Sequence, residues 1–297
     1  MKKIEKFRKI CKYSQYAAMI LLVGGGVFLV YKFGLKDSNE NSMTNTALFT
    51  LLTIVALFAF MLLVVVPMQN KLLHMVIEES LKDVVSNLKF DRKKGYSKEQ
   101  FEKLRLVNEP FGKYHSVDYY SFTFNGLEIE STTVRAYDEF KIPKEKGKKG
   151  SKSGKKTVNY FFGRVYIVPF EFNDKFNVYG KKNPTASKRK ELVDAEYNVE
   201  LPLKFKKYND NFEVYYKDKP TMDINAFLEK LLSLKLASKG AISIFVRNKS
   251  FVLCIDNSRH YEEIDIKNPV KEDLIRGYKK DVTMVLSFIN SLLKEQK

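Results

Sequence analysis

Three residues near the carboxy-terminal end of the chain, Cys254, Asp256 and His260, have the types needed for nucleophilic chemistry. A thiol beside an orienting acid and a base is a known arrangement for covalent catalysis. Residues two apart in a strand share one face, so a strand here would place Cys254 and Asp256 side by side. Cysteine in an apolar strand is more often a small core side chain, and nothing nearby supplies an oxyanion site. The pattern therefore favours a structural Cys254 and predicts no catalytic residue.

A glycine- and lysine-rich run over residues 147–157 invites comparison with a phosphate-binding loop. The comparison fails at two positions, because Lys149 stands where the motif needs its first glycine and Lys155 is followed by Lys156 rather than Ser or Thr. The run also lies between predicted strands, whereas the motif joins a strand to a helix. We therefore predict a flexible loop and no nucleotide cofactor.

The candidate metal ligands are few and scattered. None of His74, His115 and His260 has a second ligand at helical or hairpin spacing, and Cys11 is far from Cys254 in the sequence. Two cysteines can form neither a disulfide framework nor a four-ligand zinc site. The sequence therefore predicts no metal and no cofactor, and it favours a protein that is not an enzyme.

Residues 96–297 are predicted to form an α+β domain, mainly an antiparallel sheet with flanking helices. Ser97 and Gln100 form a capping box before a short helix, and Asp223 can cap a later one. The pair Asn125-Gly126 between two alternating runs indicates a hairpin, and residues 241–255 indicate another. Strand-rich segments that do not alternate regularly with helices are typical of α+β folds.

An amphipathic linker helix is predicted over residues 69–95. Its apolar stripe packs either on its own domain or against a second copy of the chain, so a homo-oligomer stays an open alternative. The stripe consists of Leu73, Ile77, Leu81, Val84 and Leu88.

Two apolar runs precede that linker, at residues 16–35 and 47–68, after a basic tail over residues 1–15. The first has Lys32 as its sole charge and the second has none. As helices they would be about 30 Å and 33 Å long, enough to cross a hydrocarbon core of about 30 Å. The expectation is two amino-terminal transmembrane helices, forming a hairpin over residues 16–68. The glycines at 24–26 either face the second helix or are merely tolerated in the first.

Basic residues near the ends of these runs predict the orientation. Six Lys and Arg precede the first run, two (Lys32 and Lys36) lie at the short loop between the runs, and six follow the second run. This distribution places both termini in the cytoplasm. A signal peptide is the alternative interpretation of the basic start, but no small-residue cleavage site follows the apolar run. No ionisable residue lies inside either apolar core, which favours an anchor over a transporter.

The formal net charge of +17 is concentrated in two segments. Residues 1–12 hold six basic residues against one acid, and residues 141–190 hold fifteen against three. The rest of the chain is neutral overall, so the charge does not describe a broad nucleic-acid surface and nucleic acid is an unfavoured partner.

A basic loop is predicted over residues 143–157. Its lysines are candidates for contact with anionic lipid headgroups, and the alternative is a solvated loop that contacts nothing. These lysines are Lys144, Lys146, Lys148, Lys149, Lys152, Lys155 and Lys156.

Several aromatic runs carry a resemblance to a known group of proteins. They lie at residues 162–167, 172–176 and 212–215, and the helix from Asp223 and the hairpin at 241–255 agree with them. Together they resemble a family of uncharacterised bacterial two-pass membrane proteins with a cytoplasmic domain of unknown function. The resemblance covers most of residues 70–295. It implies a location in the bacterial inner (plasma) membrane and brings no catalytic residues.

The sequence therefore favours a non-enzymatic, membrane-anchored interaction or scaffolding module with an unidentified protein partner. One alternative is a membrane-proximal enzyme whose active-site residues are dispersed along the chain. The other is nucleic-acid contact through the basic segment.

Overall fold

The chain divides into two compact units in a computed structural model. The helical unit consists of Met1–Ser80 with Glu262–Tyr278, and the sheet unit consists of Leu81–Tyr261 with Lys279–Lys297. The structure describes residues 1–29, 31, 40–92, 94–107, 109–142, 154–182, 197–247, 249–258 and 267–294.

The helical unit is built from α1 (Lys2–Leu29), α2 (Glu40–Phe60) and α3 (Val66–Leu81). One π-helical turn, Met61–Val65, joins α2 to α3. The N–H of Val66 donates to the carbonyl of Met61, five residues back. Pro67 has no N–H, and its ring would clash with the carbonyl four residues before it. The wider turn just before Pro67 accommodates this proline in a helix that continues to Leu81.

The first half of α1 packs against α3 through a small hydrophobic core. Ile4, Leu72, Val76 and Val270 are buried there. The partly buried residues around this core are Phe7, Met75, Leu274, Ile275 and Tyr278. The residues of α1 that face this core recur at helical spacing, so the polar start of α1 is an amphipathic helix with its own packing partner.

The prediction of two amino-terminal transmembrane helices is wrong. Within the described residues, Leu51–Leu81 is the one helix long and apolar enough to cross a membrane. α1 begins at Lys2, and its polar first half packs on α3.

The glycines of α1 differ in their surroundings. A Cβ at Gly25 would lie 3.9 Å from Thr53 Cγ2 of α2, whereas one at Gly24 would meet nothing within 4 Å. Gly25 therefore faces α2 and Gly24 does not.

The predicted linker helix is shorter than its apolar stripe suggests. α3 ends at Leu81, and Val84 lies in the turn that follows. Leu88 belongs to strand β1, because this segment pairs with β2 at the edge of the sheet. A spacing of four residues places two side chains on one face of either a helix or a strand, so the last repeats do not distinguish the two.

Within the described residues the sheet unit contains an antiparallel sheet of nine strands, in the order β1-β2-β3-β4-β9-β8-β5-β7-β6. The pair Asn125-Gly126 forms the β2–β3 turn with positive φ at both positions, as the sequence predicts. The strands are β1 (Ser86–Asp91), β2 (Lys113–Phe124), β3 (Leu127–Ile142), β4 (Gly154–Val168), β5 (Phe176–Gly180), β6 (Val199–Glu200), β7 (Phe212–Tyr216), β8 (Ala241–Val246) and β9 (Phe251–Asp256).

Helices flank this sheet. One face packs against α6 (Ile224–Ser238) and the later turns of α7 (Glu272–Leu293), where Phe227, Phe251 and Phe288 are in contact. The other face is covered by α4 (Lys98–Lys103) and the segment that follows it, through a cluster that includes Phe101 and Phe161. α5 (Lys206–Asn209) is a single turn before β7.

Candidate functional site

The antiparallel topology brings four strand ends together at one end of the sheet. β5 and β9 end there, and β7 and β8 begin there. Cross-strand pairing places Tyr179 opposite Glu213 and Ser243 opposite Cys254. Because side chains alternate between faces, these residues and Asp256 share one face of the sheet. Residues far apart in the sequence therefore converge on one surface.

A cavity of about 320 Å³ lies over this surface, and we call it the polar cavity. Leu106, Val107 and Glu109, from the segment after α4, line it on the side away from the sheet. Its volume is at the lower end of the range of about 300–1,000 Å³ that is usual for small-molecule sites. The sheet residues that line it are Asn159, Tyr160, Phe161, Tyr179, Gly180, Lys181, Lys182, Glu213, Ala241, Ser243, Cys254 and Asp256.

Asp256 is one of two buried acids that line the polar cavity. Its side chain is 7% exposed, and its Oδ2 lies 2.6 Å from Lys182 Nζ. The N–H of Phe162 donates to its Oδ1 at 3.3 Å. Burial raises the pKa of the Asp256 carboxyl, and the Lys182 ammonium and the Phe162 N–H oppose that rise. A buried acid with a raised pKa in a cavity is a recognised mark of a functional site.

The close approach of β4 and β9 fixes the position of Asp256. Gly163 lies directly opposite Asp256, and a Cβ on Gly163 would be 1.8 Å from the backbone oxygen of Ile255. Only glycine permits two backbones to come so close. The aromatic run that contains Gly163 therefore positions the carboxylate of the cavity.

A second ion pair lies across the polar cavity. Lys181 Nζ is 3.5 Å from Glu213 Oε1, and these two side chains are 14% and 5% exposed. Lys181 also donates to the carbonyl of Asn209 at 2.8 Å. The cavity thus places two lysines from consecutive positions against two acids from different strands. Such an arrangement suits a ligand with polar groups of both signs.

The structure places Cys254 and Asp256 on the polar cavity, as their spacing predicts, but it does not give Cys254 the properties of a nucleophile. Cys254 is buried in the hydrophobic cluster under α4. Burial raises the pKa of its thiol, so the protonated form dominates at neutral pH. His260, the third residue of the sequence pattern, lies outside the described residues.

The lysines of the predicted basic loop are only partly described. Lys144, Lys146, Lys148, Lys149 and Lys152 lie outside the described residues. Lys155 and Lys156 belong to β4, which begins at Gly154, so the predicted loop is shorter at its carboxy-terminal end. Both are exposed, and Lys155 Nζ lies 3.9 Å from a carboxylate oxygen of Glu139.

The other candidate ligands do not assemble. His74 is in α3 and His115 is in β2. Among the residues that the structure describes, no group of three or more His, Cys, Asp or Glu is arranged to hold a metal ion.

Sequence reasoning missed Lys181, Lys182 and Glu213, since they become neighbours only through long-range strand pairing. One signal was present: Glu213 is the single charge in the otherwise apolar run of residues 212–216. A lone charge in a buried strand is costly unless it is paired, so this position indicated a partner elsewhere in the fold.

A wider cleft of about 850 Å³ lies on the other side of Leu106 and Val107. Its acids and bases, such as Glu99, Glu102 and Lys103, are exposed to solvent. Exposed charges are screened by water and salt, so we place the candidate site in the smaller polar cavity.

Comparisons with protein-family models, with curated proteins and with solved structures each found no match. The resemblance to uncharacterised bacterial membrane proteins therefore stays a prediction.

Proposed function

We propose that this protein is a membrane-anchored interaction module in which one apolar helix tethers the sheet unit to a bilayer. The observation that carries the proposal is the exposure of the helix Leu51–Leu81, since only 6% of its apolar window is buried. Leu63 is 76% exposed and Phe58 is 65% exposed. The core helix of a water-soluble protein would bury such residues, so a lipid environment accounts for this surface better than water does.

The charges around this helix support a cytoplasmic location for the sheet unit. Two basic residues, Lys32 and Lys36, lie shortly before the apolar run of residues 47–68, whereas six Lys and Arg follow it by residue 94. Of these six, Lys82 and Lys89 are among those that belong to the sheet unit. Basic residues stay preferentially on the cytoplasmic side of a membrane. The resemblance of the aromatic runs supports the plasma membrane of a bacterium.

The polar cavity supports binding rather than covalent chemistry. Both of its buried acids are held in ion pairs, and its thiol is kept protonated by burial. We therefore place the interaction of the module with a partner molecule on the sheet unit.

Membrane extraction tests the anchor. The full chain should remain with membranes washed in alkaline carbonate and leave them in detergent. The double variant Val55→Arg/Phe58→Arg puts two charges in the apolar run of residues 47–68. Each charge costs about 2.5–3.5 kcal/mol on a membrane-insertion scale, so the variant should lose membrane retention. Leu236→Arg is the matched control, because Leu236 is an equally exposed apolar residue of α6 in the sheet unit. Release of the unmodified chain by carbonate would refute the anchor.

A second candidate function, a membrane-proximal enzyme, has one observation in its favour. Asp256 combines burial, a raised pKa and a place on the polar cavity, which are properties of general acids. Asp256→Asn keeps the size of the side chain and removes the titratable proton. Failure of this variant to complement a loss-of-function strain, with a melting temperature no lower than that of the unmodified chain and with normal complementation by Cys254→Ala, would favour the enzyme. Full complementation by Asp256→Asn would exclude Asp256 as an acid catalyst.

A further inference from the structure

A cleft in the helical unit has lysines along one side, and we call it the lysine cleft. Lys2, Lys6 and Lys9 lie on one side of α1 at helical spacing, while Pro269 and Val270 form the other side. The volume of the cleft is about 470 Å³. The three lysines are exposed, since the opposite face of α1 is the one buried against α3.

Glu5 lies in the same cleft but does not neutralise the lysines. Its carboxylate accepts from Arg8 Nε at 2.9 Å and 3.0 Å and from the N–H of Val270 at 3.3 Å. The hydrogen bond from Arg8 is the main reason why the pKa of Glu5 is lowered. Arg8 is itself buried, so the ion pair of Glu5 and Arg8 adds no net charge to the lysine cleft. Within the part of the chain that the structure describes, none of the three lysines has an ion-pair partner.

The anchor helix indicates where the lysine cleft lies relative to the membrane surface. Its apolar run ends at Met68, and Lys71 follows one turn later. Lys71 Nζ lies 5.6 Å from the ring centroid of Phe7, which is in the turn between Lys6 and Lys9. The lysine cleft is therefore level with the polar end of the membrane segment, where it would meet lipid phosphates rather than acyl chains.

We propose that the lysine cleft binds the phosphate of an anionic lipid headgroup. Three lysine charges that have no ion-pair partner among the described residues favour a phosphate, and the apolar wall of Pro269 and Val270 accommodates the glycerol part of a lipid. The inference rests on the proposed membrane anchor, since only an anchored chain holds the cleft at that height.

Native mass spectrometry of the full chain in detergent tests the site. The protein is titrated with phosphatidylglycerol and, separately, with phosphatidylcholine, and the first binding constant is measured for each lipid. The unmodified chain should prefer phosphatidylglycerol. In the triple variant Lys2→Gln/Lys6→Gln/Lys9→Gln this preference should fall on the order of fivefold per lysine, from about 1 kcal/mol for each basic residue near an anionic surface.

The control variant Lys204→Gln/Lys206→Gln/Lys219→Gln removes the same charge from exposed positions of the sheet unit and should keep the preference. Equal binding of both lipids by the unmodified chain, or equal losses in both variants, would overturn the proposal. Displacement of phosphatidylglycerol by millimolar inorganic phosphate would also overturn it, because the cleft would then be a site for soluble anions. Failure of the lipid site in a chain that resists carbonate leaves the anchor intact, whereas release by carbonate refutes the anchor itself.

Discussion

Replacement of Gly163 by alanine should destabilise the sheet unit strongly. The added Cβ would lie 1.8 Å from the backbone oxygen of Ile255 and 3.0 Å from Cα of Asp256. Neither neighbour is a flexible side chain, so β4 and β9 must separate by about 1.2 Å or more before the closest contact reaches even 3.0 Å. The substitution therefore acts on the backbone pairing that positions the acid of the polar cavity.

The expected size of the effect follows from the hydrogen bonds beside Gly163. The N–H of Ser258 donates to the carbonyl of Phe162 at 2.9 Å, and the N–H of Phe162 donates to Asp256 at 3.3 Å. A separation of this size breaks both hydrogen bonds, and the buried backbone N–H and C=O of Phe162 then lack partners, at a cost of about 1–3 kcal/mol for each group. We expect a loss of about 3 kcal/mol, which lowers the melting temperature of a unit of this size by about 6–12 °C.

The assay uses the buried thiol of the sheet unit. In a Cys11→Ser background, Cys254 is the remaining cysteine, so a thiol-reactive fluorophore reports thermal exposure of β9. Gly277→Ala is the control, because a Cβ there meets nothing within 4 Å. That control should be neutral or stabilising by about 0.5–1 kcal/mol, the helical preference of alanine over glycine. A melting temperature for Gly163→Ala within 2 °C of the unmodified chain would refute the close approach of the two strands.

Three further predictions concern single side chains. Cys254→Ala should leave membrane retention unchanged. In the folded chain, Cys254 should react with iodoacetamide at neutral pH far more slowly than it does after unfolding, and equal rates would contradict a buried, protonated thiol. Asp256→Asn should gain stability relative to the unmodified chain as pH rises from about 4. Because the pKa of Asp256 is raised in the folded state, the unmodified chain loses stability as this acid ionises, whereas the variant does not. A difference in melting temperature between the two chains that stays constant with pH would contradict this prediction. Ser97→Ala should cost about 1 kcal/mol, since Ser97 Oγ accepts from the N–H of Gln100 at 3.1 Å, and an unchanged melting temperature would refute that role.

Local signals predicted local structure well. The capping box of Ser97 and Gln100, the cap at Asp223 and the turn at Asn125-Gly126 all lie where their patterns place them. Each depends on hydrogen bonds or backbone preferences within a few residues, which the sequence contains in full.

Features that depend on residues far apart in the chain could not be predicted from local sequence patterns. The polar half of α1 has a partner in α3 and in the segment around Val270, more than 250 residues away. Nothing near α1 in the sequence indicates that contact, so its basic start was predicted to be a tail. The ion pairs of Lys181 and Lys182 likewise require the strand order, which no local pattern encodes.

Among the strands that the structure describes, β1 and β6 are the outer two, and they limit how copies of this chain can associate. β1 has a register shift between Ser86 and Lys89, with a positive φ at Asn87, and β6 is only two residues long. A bulged strand and a very short one are poor templates for strand addition, which requires a long, regular row of free N–H and C=O groups. At high density in a membrane, neighbouring copies should therefore not join edge to edge into continuous sheets. A sheet of this size with two long, regular edge strands would be prone to such association.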